Sequence, residues 1–207
     1  MRMSGEYQGS QAFGHIAGGS ESVNRNTGSV NFSRTLVSLR GVVDSINLQL
    51  SITYSHGLQG SFGLPKNWTF NLPFVVPNQS VTTQGRTYIV DKSWFDSTNY
   101  PSGLKYINNH GMRFERVVPD RSLPSGSPGS YAWRFRMTDG ACDYFDATGK
   151  ILEHVDIFGN YIRYVYVNQQ AGPSSALLRY IQDSWGQKIQ FTYQPGSEVQ
   201  ILGPDGA

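Results

Sequence analysis

Four acidic residues lie close together in the sequence and could supply the carboxylates for glycoside hydrolysis: Asp143, Asp146, Glu153 and Asp156. That reaction needs two carboxyl groups held at a defined separation across a cleft. Asp146 and Asp156 stand where tight turns are expected, and aspartate favours turns because its side chain bonds nearby backbone N–H groups. We therefore interpret these acids as structural residues.

Other residue types that catalyse reactions or bind metals are scattered. The histidines, His15, His56, His110 and His154, lack the short spacing of a metal site, so we expect them in surface or loop positions. Cys142 is the only cysteine, which excludes an internal disulfide, and we expect it to be a small packing residue. No Gly-x-Ser-x-Gly nucleophile motif occurs. The sequence predicts a protein that is not an enzyme and that needs no cofactor or metal.

The composition favours a folded all-β protein. The 207 residues are 38% hydrophobic, enough for one sizeable core or two small ones. Only 15% are charged, and 23 glycines accompany 12 tyrosines and 11 phenylalanines, which is typical of short strands joined by tight turns. The formal net charge of +2 predicts no nucleic-acid partner. Because no run of about 18 apolar residues occurs, no transmembrane segment is predicted.

Shifts in composition divide the chain into four parts. Residues 1–22 are rich in Gly, Ser and Gln and are expected to form a flexible leader, without the apolar core of a secretory signal. Residues 23–118 are predicted to form an antiparallel β-sheet or sandwich region, residues 119–130 a Pro/Ser/Gly loop, and residues 131–207 a series of stacked hairpins. Alternation changes phase from Leu36 to Leu39, which predicts a β-bulge or bend.

Two segments of the last part repeat each other at a constant offset of 27 residues. Each contains an aspartate, an aromatic residue, a glycine, a polar residue and then alternating apolar or aromatic residues. The equivalent residues are Asp156 and Asp183, Phe158 and Trp185, Gly159 and Gly186, Ile162 and Ile189, Tyr164 and Phe191, and Tyr166 and Tyr193. Each unit alone would leave an apolar face exposed, so the pattern requires neighbouring units.

The repeat has a physical interpretation. The glycine supplies a turn with positive φ, and the aspartate bonds local backbone N–H groups. The residues that follow stack from one hairpin to the next. We also expect Phe158 and Trp185 to be buried stacking residues of the sheet, so that Trp185→Ala should cost about 3 to 5 kcal/mol of stability.

The two segments resemble the YD-repeat, or Rhs, family, which includes toxin-complex proteins and teneurins. The first matches the family's D-x-x-G-N-x-I-x-Y-x-Y element with Asp156, Gly159, Asn160, Ile162, Tyr164 and Tyr166. The second matches it with Asp183, Gly186, Gln187, Ile189, Phe191 and Tyr193. The resemblance extends over residues 23–203 as an amino-terminal or early-repeat segment, and it is most specific in residues 139–193.

The resemblance implies a β-sheet wound into a hollow shell around a toxin or effector. We expect this chain to be an open fragment of such a shell that continues in a longer parent, since it holds roughly two repeat units. It would be a non-catalytic structural segment that encapsulates or delivers a polymorphic toxin, synthesised in the cytoplasm and secreted or displayed at the cell surface by a non-Sec route. Its partners would be downstream YD repeats or another protein chain, bound through an exposed sheet edge.

The alternative function is a free-standing adhesion module that binds carbohydrate or protein, and two groups of residues are candidates for its ligand site. Trp94, Phe95 and Tyr100 lie in an irregular polar stretch that suits a recognition loop, because aromatic rings stack on sugars. The other interpretation is that Trp94 and Phe95 close the sandwich edge. Arg134 and Arg136 could form a basic ligand face beside the tryptophan that precedes them, or the ordinary polar face of a strand.

Overall fold

All regular structure in the described part of the chain is β-strand. The computed structural model describes residues 19–23, 30–39, 46–57, 60–77, 79–83, 86–89, 105–106, 112–116, 130–168, 170–194 and 198–204. Their strands form three antiparallel sheets, which stay open and do not close into a barrel. The predicted all-β class is confirmed.

Two of the sheets are small. The four-stranded sheet has the order β1-β2-β3-β4, with strands Gly19–Val23, Val30–Leu39, Leu48–Ser55 and Trp68–Phe70. The three-stranded sheet has the order β5-β6-β7, with strands Phe74–Val76, Ser80–Thr83 and Arg86–Ile89. The register between β2 and β3 shifts between Thr35 and Val37, so the bulge or bend predicted from Leu36 to Leu39 is a β-bulge at Leu36.

The third sheet has nine strands, and each pairs with its neighbour in the chain. Strands β8 to β16 are Lys105–Tyr106, Arg113–Arg116, Trp133–Arg136, Cys142–Phe145, Ile151–Val155, Tyr161–Tyr166, Leu178–Asp183, Lys188–Gln194 and Glu198–Leu202. Short turns join β10 to β11, β11 to β12, β12 to β13 and β14 to β15, and such turns set the register of antiparallel neighbours. The connections from β9 to β10 and from β13 to β14 are longer. Because β9 pairs with β10, the sheet includes strands from both sides of the predicted loop at 119–130.

The nine-stranded sheet has an inner, apolar face and an outer, polar face, because successive side chains alternate along each strand. The inner face carries Phe135, Tyr164 and Phe191, each at most 6% exposed. The small sheets cover this face: Phe70 of β4 packs edge-on against Phe191 with ring centroids 5.9 Å apart, and Tyr88 of β7 lies 5.5 Å from Phe135. The result is a two-layer sandwich with one continuous core.

The three-stranded sheet meets the large sheet at the turn between β11 and β12. The backbone N–H of Val75 donates to the carbonyl of Gly149 at 2.7 Å, and Phe74 forms an isolated antiparallel bridge with Lys150. Gly149 has a φ of +95°, and a Cβ added there would lie 2.0 Å from the carbonyl oxygen of Val75. Glycine is therefore required both for the backbone conformation and for the close approach of β5.

We predict that Gly149→Ala destabilises the protein more than Gly159→Ala does. Both substitutions place an L-residue at positive φ, which costs about 1 to 2 kcal/mol. At Gly159 nothing lies within 4 Å of the added Cβ, whereas at Gly149 the methyl group meets the backbone of β5, and such overpacking adds about 1 to 3 kcal/mol. Urea unfolding measures both free energies. Equal losses would contradict the docking of β5 on this turn.

Candidate functional site

Three turns of the nine-stranded sheet share one hydrogen-bond pattern. We call residues 146–150, 156–160 and 183–187 the Asp turns. The backbone N–H groups of the third and fifth residues donate to Oδ1 of the first residue, an aspartate, at 2.8 to 3.1 Å. The side chain of the fifth residue donates to Oδ2, and the glycine in fourth place has a φ of +88° to +95°. The predicted turn roles of the aspartate and the glycine are confirmed.

The aromatic residues in third place of two Asp turns are exposed. Phe158 is 74% exposed and Trp185 is 60% exposed, so the prediction that they are buried stacking residues is wrong. Their backbone N–H groups point inward to the aspartate carboxylate, which leaves the side chains projecting from the turn into solvent. The large loss of stability predicted for Trp185→Ala assumed a buried side chain, so that prediction is also wrong.

Stacking between hairpins is instead provided by the strand residues of the repeat. Four of them face the core and are at most 6% exposed: Ile162, Tyr164, Ile189 and Phe191. Tyr166 is also buried, and its hydroxyl donates to the carbonyl oxygen of Ile151 at 2.7 Å. Its counterpart Tyr193 is partly buried and packs against the same core. The 27-residue repeat is therefore a repeat of inward-facing positions on β13 and β15.

The Asp turn at 146–150 also buries a charge. Lys150, its fifth residue, is 0% exposed. Its ammonium group forms an ion pair with Asp146, donates to the carbonyl oxygen of Ala171 at 3.1 Å and lies 5.4 Å from the ring centroid of Tyr166. Buried charges require such partners, so this lysine links the turn to the loop between β13 and β14.

The outer face carries one row of polar side chains across the seven strands β9 to β15, which we call the polar row. In strand order it consists of Glu115, Arg134, Tyr144, Glu153, Arg163, Gln182 and Lys188. Arg134 forms an ion pair with Glu115. Arg163 Nε donates to Glu153 Oε1 at 2.8 Å, and the hydroxyl of Tyr131 also donates to Glu153.

Both glutamates of the polar row are buried although they belong to the outer face. Glu153 is 2% exposed and Glu115 is 8% exposed. Tyr131 and Tyr144 lie beside them with ring centroids 4.8 Å apart. A buried carboxylate that loses its partner is costly, and a slip of one residue between strands would separate each glutamate from its arginine. The polar row therefore favours a single strand register.

We predict that Arg163→Met lowers the free energy of unfolding by about 3 kcal/mol, because it leaves the buried carboxylate of Glu153 without its cation. The double variant Glu153→Leu/Arg163→Met removes both charges and should recover much of that loss. Chemical denaturation of the two variants measures the difference. If the single variant were as stable as the wild type, the pair would not hold the register.

On the inner face, Asp143 of β11 and His154 of β12 form a hydrogen-bonded group with Thr83 of β6. His154 Nδ1 lies 2.6 Å from Asp143 Oδ1, and the hydroxyl of Thr83 on β6 donates to Asp143 Oδ2 at 2.8 Å. Burial by itself lowers the pKa of His154, but the hydrogen bond and the negative charge of Asp143 outweigh it, so this pKa is raised. The group ties the three-stranded sheet to the large one.

The prediction of a surface or loop role is wrong for His154, because a strand places it against a buried carboxylate. His56 lies exposed in a turn, as predicted. His15 and His110 lie outside the described residues. The pairing of His154 with Asp143 depends on the register of β11 and β12, which no local sequence pattern reveals.

The raised pKa of His154 predicts a pH-dependent contribution to stability. This contribution is fully present below the unfolded histidine pKa of about 6.5 and is lost as the pH rises through the higher folded pKa. The stability difference between the wild type and His154→Gln should therefore be larger at pH 6 than at pH 9. His56→Gln, at an exposed position in a turn, is the control, because it removes a histidine and leaves the pair of His154 with Asp143 intact. A difference independent of pH would refute the ion pair.

The four acidic residues considered for catalysis do not converge on one cleft. Asp143 is engaged on the inner face and Glu153 on the outer face, while Asp146 and Asp156 begin Asp turns. Cys142 is half-buried on β11, and burial raises the pKa of its thiol. Within the residues that the structure describes, no group of three His, Cys, Asp or Glu could hold a metal ion.

Outside the described residues lie the three aromatic candidates for ligand binding, Trp94, Phe95 and Tyr100. Arg134 is engaged by Glu115 in the polar row, whereas Arg136 is exposed at the end of β10. Trp133 belongs to the inner side of the strand and stacks on Phe114 with ring centroids 5.3 Å apart. The arginines and this tryptophan therefore lie on opposite faces and do not form the joint ligand face that was considered.

Sequence reasoning missed the polar row and the exposure of Trp185. A weak signal for the row exists, since each of the four strands β9, β10, β12 and β13 contains at least one glutamate or arginine. Deciding which residues face each other requires the strand register, which comes from the turns and bulges together. The hydrogen bond of its own N–H in the turn decides where the aromatic side chain in third place points. The alternation of side chains along a strand does not apply to it.

Comparison with known proteins adds no assignment: neither a protein-family model nor a curated protein matches the sequence. No helix long and apolar enough to span a membrane occurs in the part of the chain that the structure describes. Function must therefore be inferred from the sheets, their turns and their edges.

Proposed function

We propose that the chain is a non-catalytic structural segment of a larger β-sheet wall, of the kind that Rhs/YD-repeat proteins build around a polymorphic toxin. The observation that carries the proposal is the repeated Asp turn: turns with the same hydrogen bonds recur along one meander and coincide with the matched D-x-x-G elements. Such a wall would be made in the cytoplasm and secreted or displayed at the cell surface by a non-Sec route.

The open edge of β16 supports growth of the wall. β16 pairs with β15, and no described strand pairs with its other side. Its inward-facing residues Val199 and Ile201 pack against the core but are only partly buried. An edge strand with free backbone groups and a partly exposed apolar face favours pairing with a further strand. We propose that this strand comes from further repeats of the same kind or from another protein chain.

The sequence after β16 is consistent with another hairpin. Residues 204–207 read Pro-Asp-Gly-Ala, and residues 138–141, at the turn between β10 and β11, read Thr-Asp-Gly-Ala. In that earlier turn the N–H of Ala141 donates to Asp139 Oδ1 at 3.0 Å, and Gly140 has a φ of +93°. The same turn chemistry after β16 would direct the chain back along its open edge.

A free-standing adhesion module is the second candidate. The observation that favours it is the exposure of Phe158 and Trp185, because large aromatic side chains in solvent are common at binding surfaces. The two candidates differ in what they require of β16. A wall segment needs its edge to be paired, whereas an independent module is complete without a partner strand.

We predict that the purified chain self-associates through β16, so that its mass by light scattering rises with concentration. Ile201→Lys places a charge on the inward side of the edge strand and should keep the chain monomeric, since inward charges prevent edge pairing. Thr192→Lys adds the same charge at an exposed outer-face position of β15 and should associate like the wild type. Thermal unfolding confirms that both variants are folded. A wild-type chain that stays monomeric at every concentration would favour the adhesion module.

A further inference from the structure

Three large apolar side chains are exposed at one end of the nine-stranded sheet, and we call them the apolar tips. They are Ile157, Phe158 and Trp185, which are 62%, 74% and 60% exposed. The first two belong to the Asp turn between β12 and β13, and the third belongs to the Asp turn between β14 and β15. Because Ile162 of β13 pairs with Asp183 of β14, both turns lie at the same end of the sheet.

The apolar tips form a short row across the strand ends. The centres of their two turns are two strand spacings apart, which places them roughly 10 Å from each other. Ile157 extends the row towards the turn between β10 and β11, since a Cβ added at Gly140 of that turn would lie 2.9 Å from Ile157 Cγ2. The remaining Asp turn lies at the opposite end of the sheet, has Thr148 in third place and is covered by β5. Among the Asp turns, aromatic third residues therefore occur at one end of the sheet.

The two turns that carry the apolar tips satisfy most of their own backbone N–H groups. In residues 156–160, the N–H groups of the first and fourth residues donate to carbonyl oxygens of the same turn, and those of the third and fifth donate to Oδ1 of Asp156. Residues 183–187 repeat all four bonds around Asp183, which is 2% exposed. Backbone groups that enter a bilayer must be paired within the protein, because lipid tails offer no hydrogen-bond partner. Each turn can therefore leave water with these four N–H groups paired.

The area of this surface distinguishes a membrane from a folded protein partner. A phenylalanine or tryptophan side chain buries about 150 to 250 Å² when it is fully enclosed. At their exposed fractions, Phe158 and Trp185 together offer roughly 200 to 330 Å². A stable protein interface buries about 800 Å² on each partner, so the apolar tips are too small to hold a second copy of the chain or another folded protein. A bilayer requires no matching surface, since each side chain enters it separately.

We propose that the apolar tips insert into the interfacial layer of a lipid bilayer and hold the chain reversibly on the membrane surface. Tryptophan favours this layer because its ring is apolar and its N–H finds a partner there, and phenylalanine enters it with its apolar ring. The turns enter the layer by their tips, and the strands remain in water. Exposed charges at this end include Arg136, Asp139 and Lys188, so both signs are present and anionic lipid is not required. The inference does not depend on the role of the β16 edge.

The test is sedimentation of the full chain with phosphatidylcholine vesicles at low protein concentration. We expect binding that persists in about 0.5 M salt, because salt screens charges and does not weaken apolar insertion. The double variant Phe158→Gln/Trp185→Gln should lower the bound-to-free ratio by about tenfold or more. Val167→Gln is the matched control and should bind like the wild type, since Val167 is 59% exposed but follows β13 at the opposite end of the sheet. Unchanged melting temperatures show that the variants are folded.

Vesicles of brominated phosphatidylcholine supply a second measurement, because bromine quenches the fluorescence of tryptophans that enter the bilayer. The wild type should be quenched. Trp185→Phe keeps an aromatic ring at the tip of the turn, so it should still bind these vesicles but lose that quenching. Full quenching of Trp185→Phe would place a different tryptophan in the membrane and would overturn the assignment to the apolar tips.

Three outcomes of the sedimentation would also overturn the proposal. The first is that the wild type does not bind vesicles. The second is that it binds only vesicles that contain phosphatidylserine and is released by salt, which would indicate adsorption by charge. The third is equal binding by the wild type and the double variant. None of these results bears on the self-association of β16, which is measured without lipid.

Discussion

The nine-stranded sheet depends on one repeated interaction. In each Asp turn, the carboxylate of the first residue accepts hydrogen bonds from backbone N–H groups of the turn. In a five-residue turn, two backbone N–H groups point inward and have no ladder partner, and a buried unpaired N–H is costly. Oδ1 of Asp146, Asp156 and Asp183 accepts both of them. The turn closes in one conformation, and the strands that it joins are set in one register.

Buried ion pairs also stabilise the arrangement of the sheet, because a charge cannot be buried without a partner. Glu153 and Glu115 are paired with arginines of neighbouring strands, and the ammonium group of Lys150 is surrounded by a carboxylate, a carbonyl and an aromatic ring. The two Glu–Arg pairs penalise a slipped register, because slippage would leave a buried carboxylate without its partner. The turns set one strand register, and these ion pairs disfavour the registers that are shifted by one residue.

The proposed functions depend on the parts of the nine-stranded sheet that remain exposed, namely its edge and the tips of its turns. A meander of hairpins has two edges, and β16 offers one of them with partly exposed apolar residues on its inner side. The Asp turns also carry their third residue into solvent, so an aromatic residue there becomes a rigid surface feature. Extension at the edge and binding at the turn tips occupy different surfaces and are compatible in one molecule.

The sequence by itself determined the all-β class, an irregularity of β2 from Leu36 to Leu39, and the roles of the aspartates and glycines in the repeated turns. These features are local: alternation, a positive φ and an Asx-type hydrogen bond each involve residues within a few positions of one another. The inward positions of the repeat, such as Tyr164 and Phe191, were also evident from the constant offset.

Only the tertiary structure decided which residues meet across strands and which face solvent. His154 meets Asp143, and Glu153 meets Arg163, because the turns and one bulge set the register of β11, β12 and β13. Phe158 and Trp185 have the composition of core residues, yet the inward N–H of the third turn position directs their side chains outward. Burial is a property of three-dimensional position, and hydrophobicity alone does not fix it.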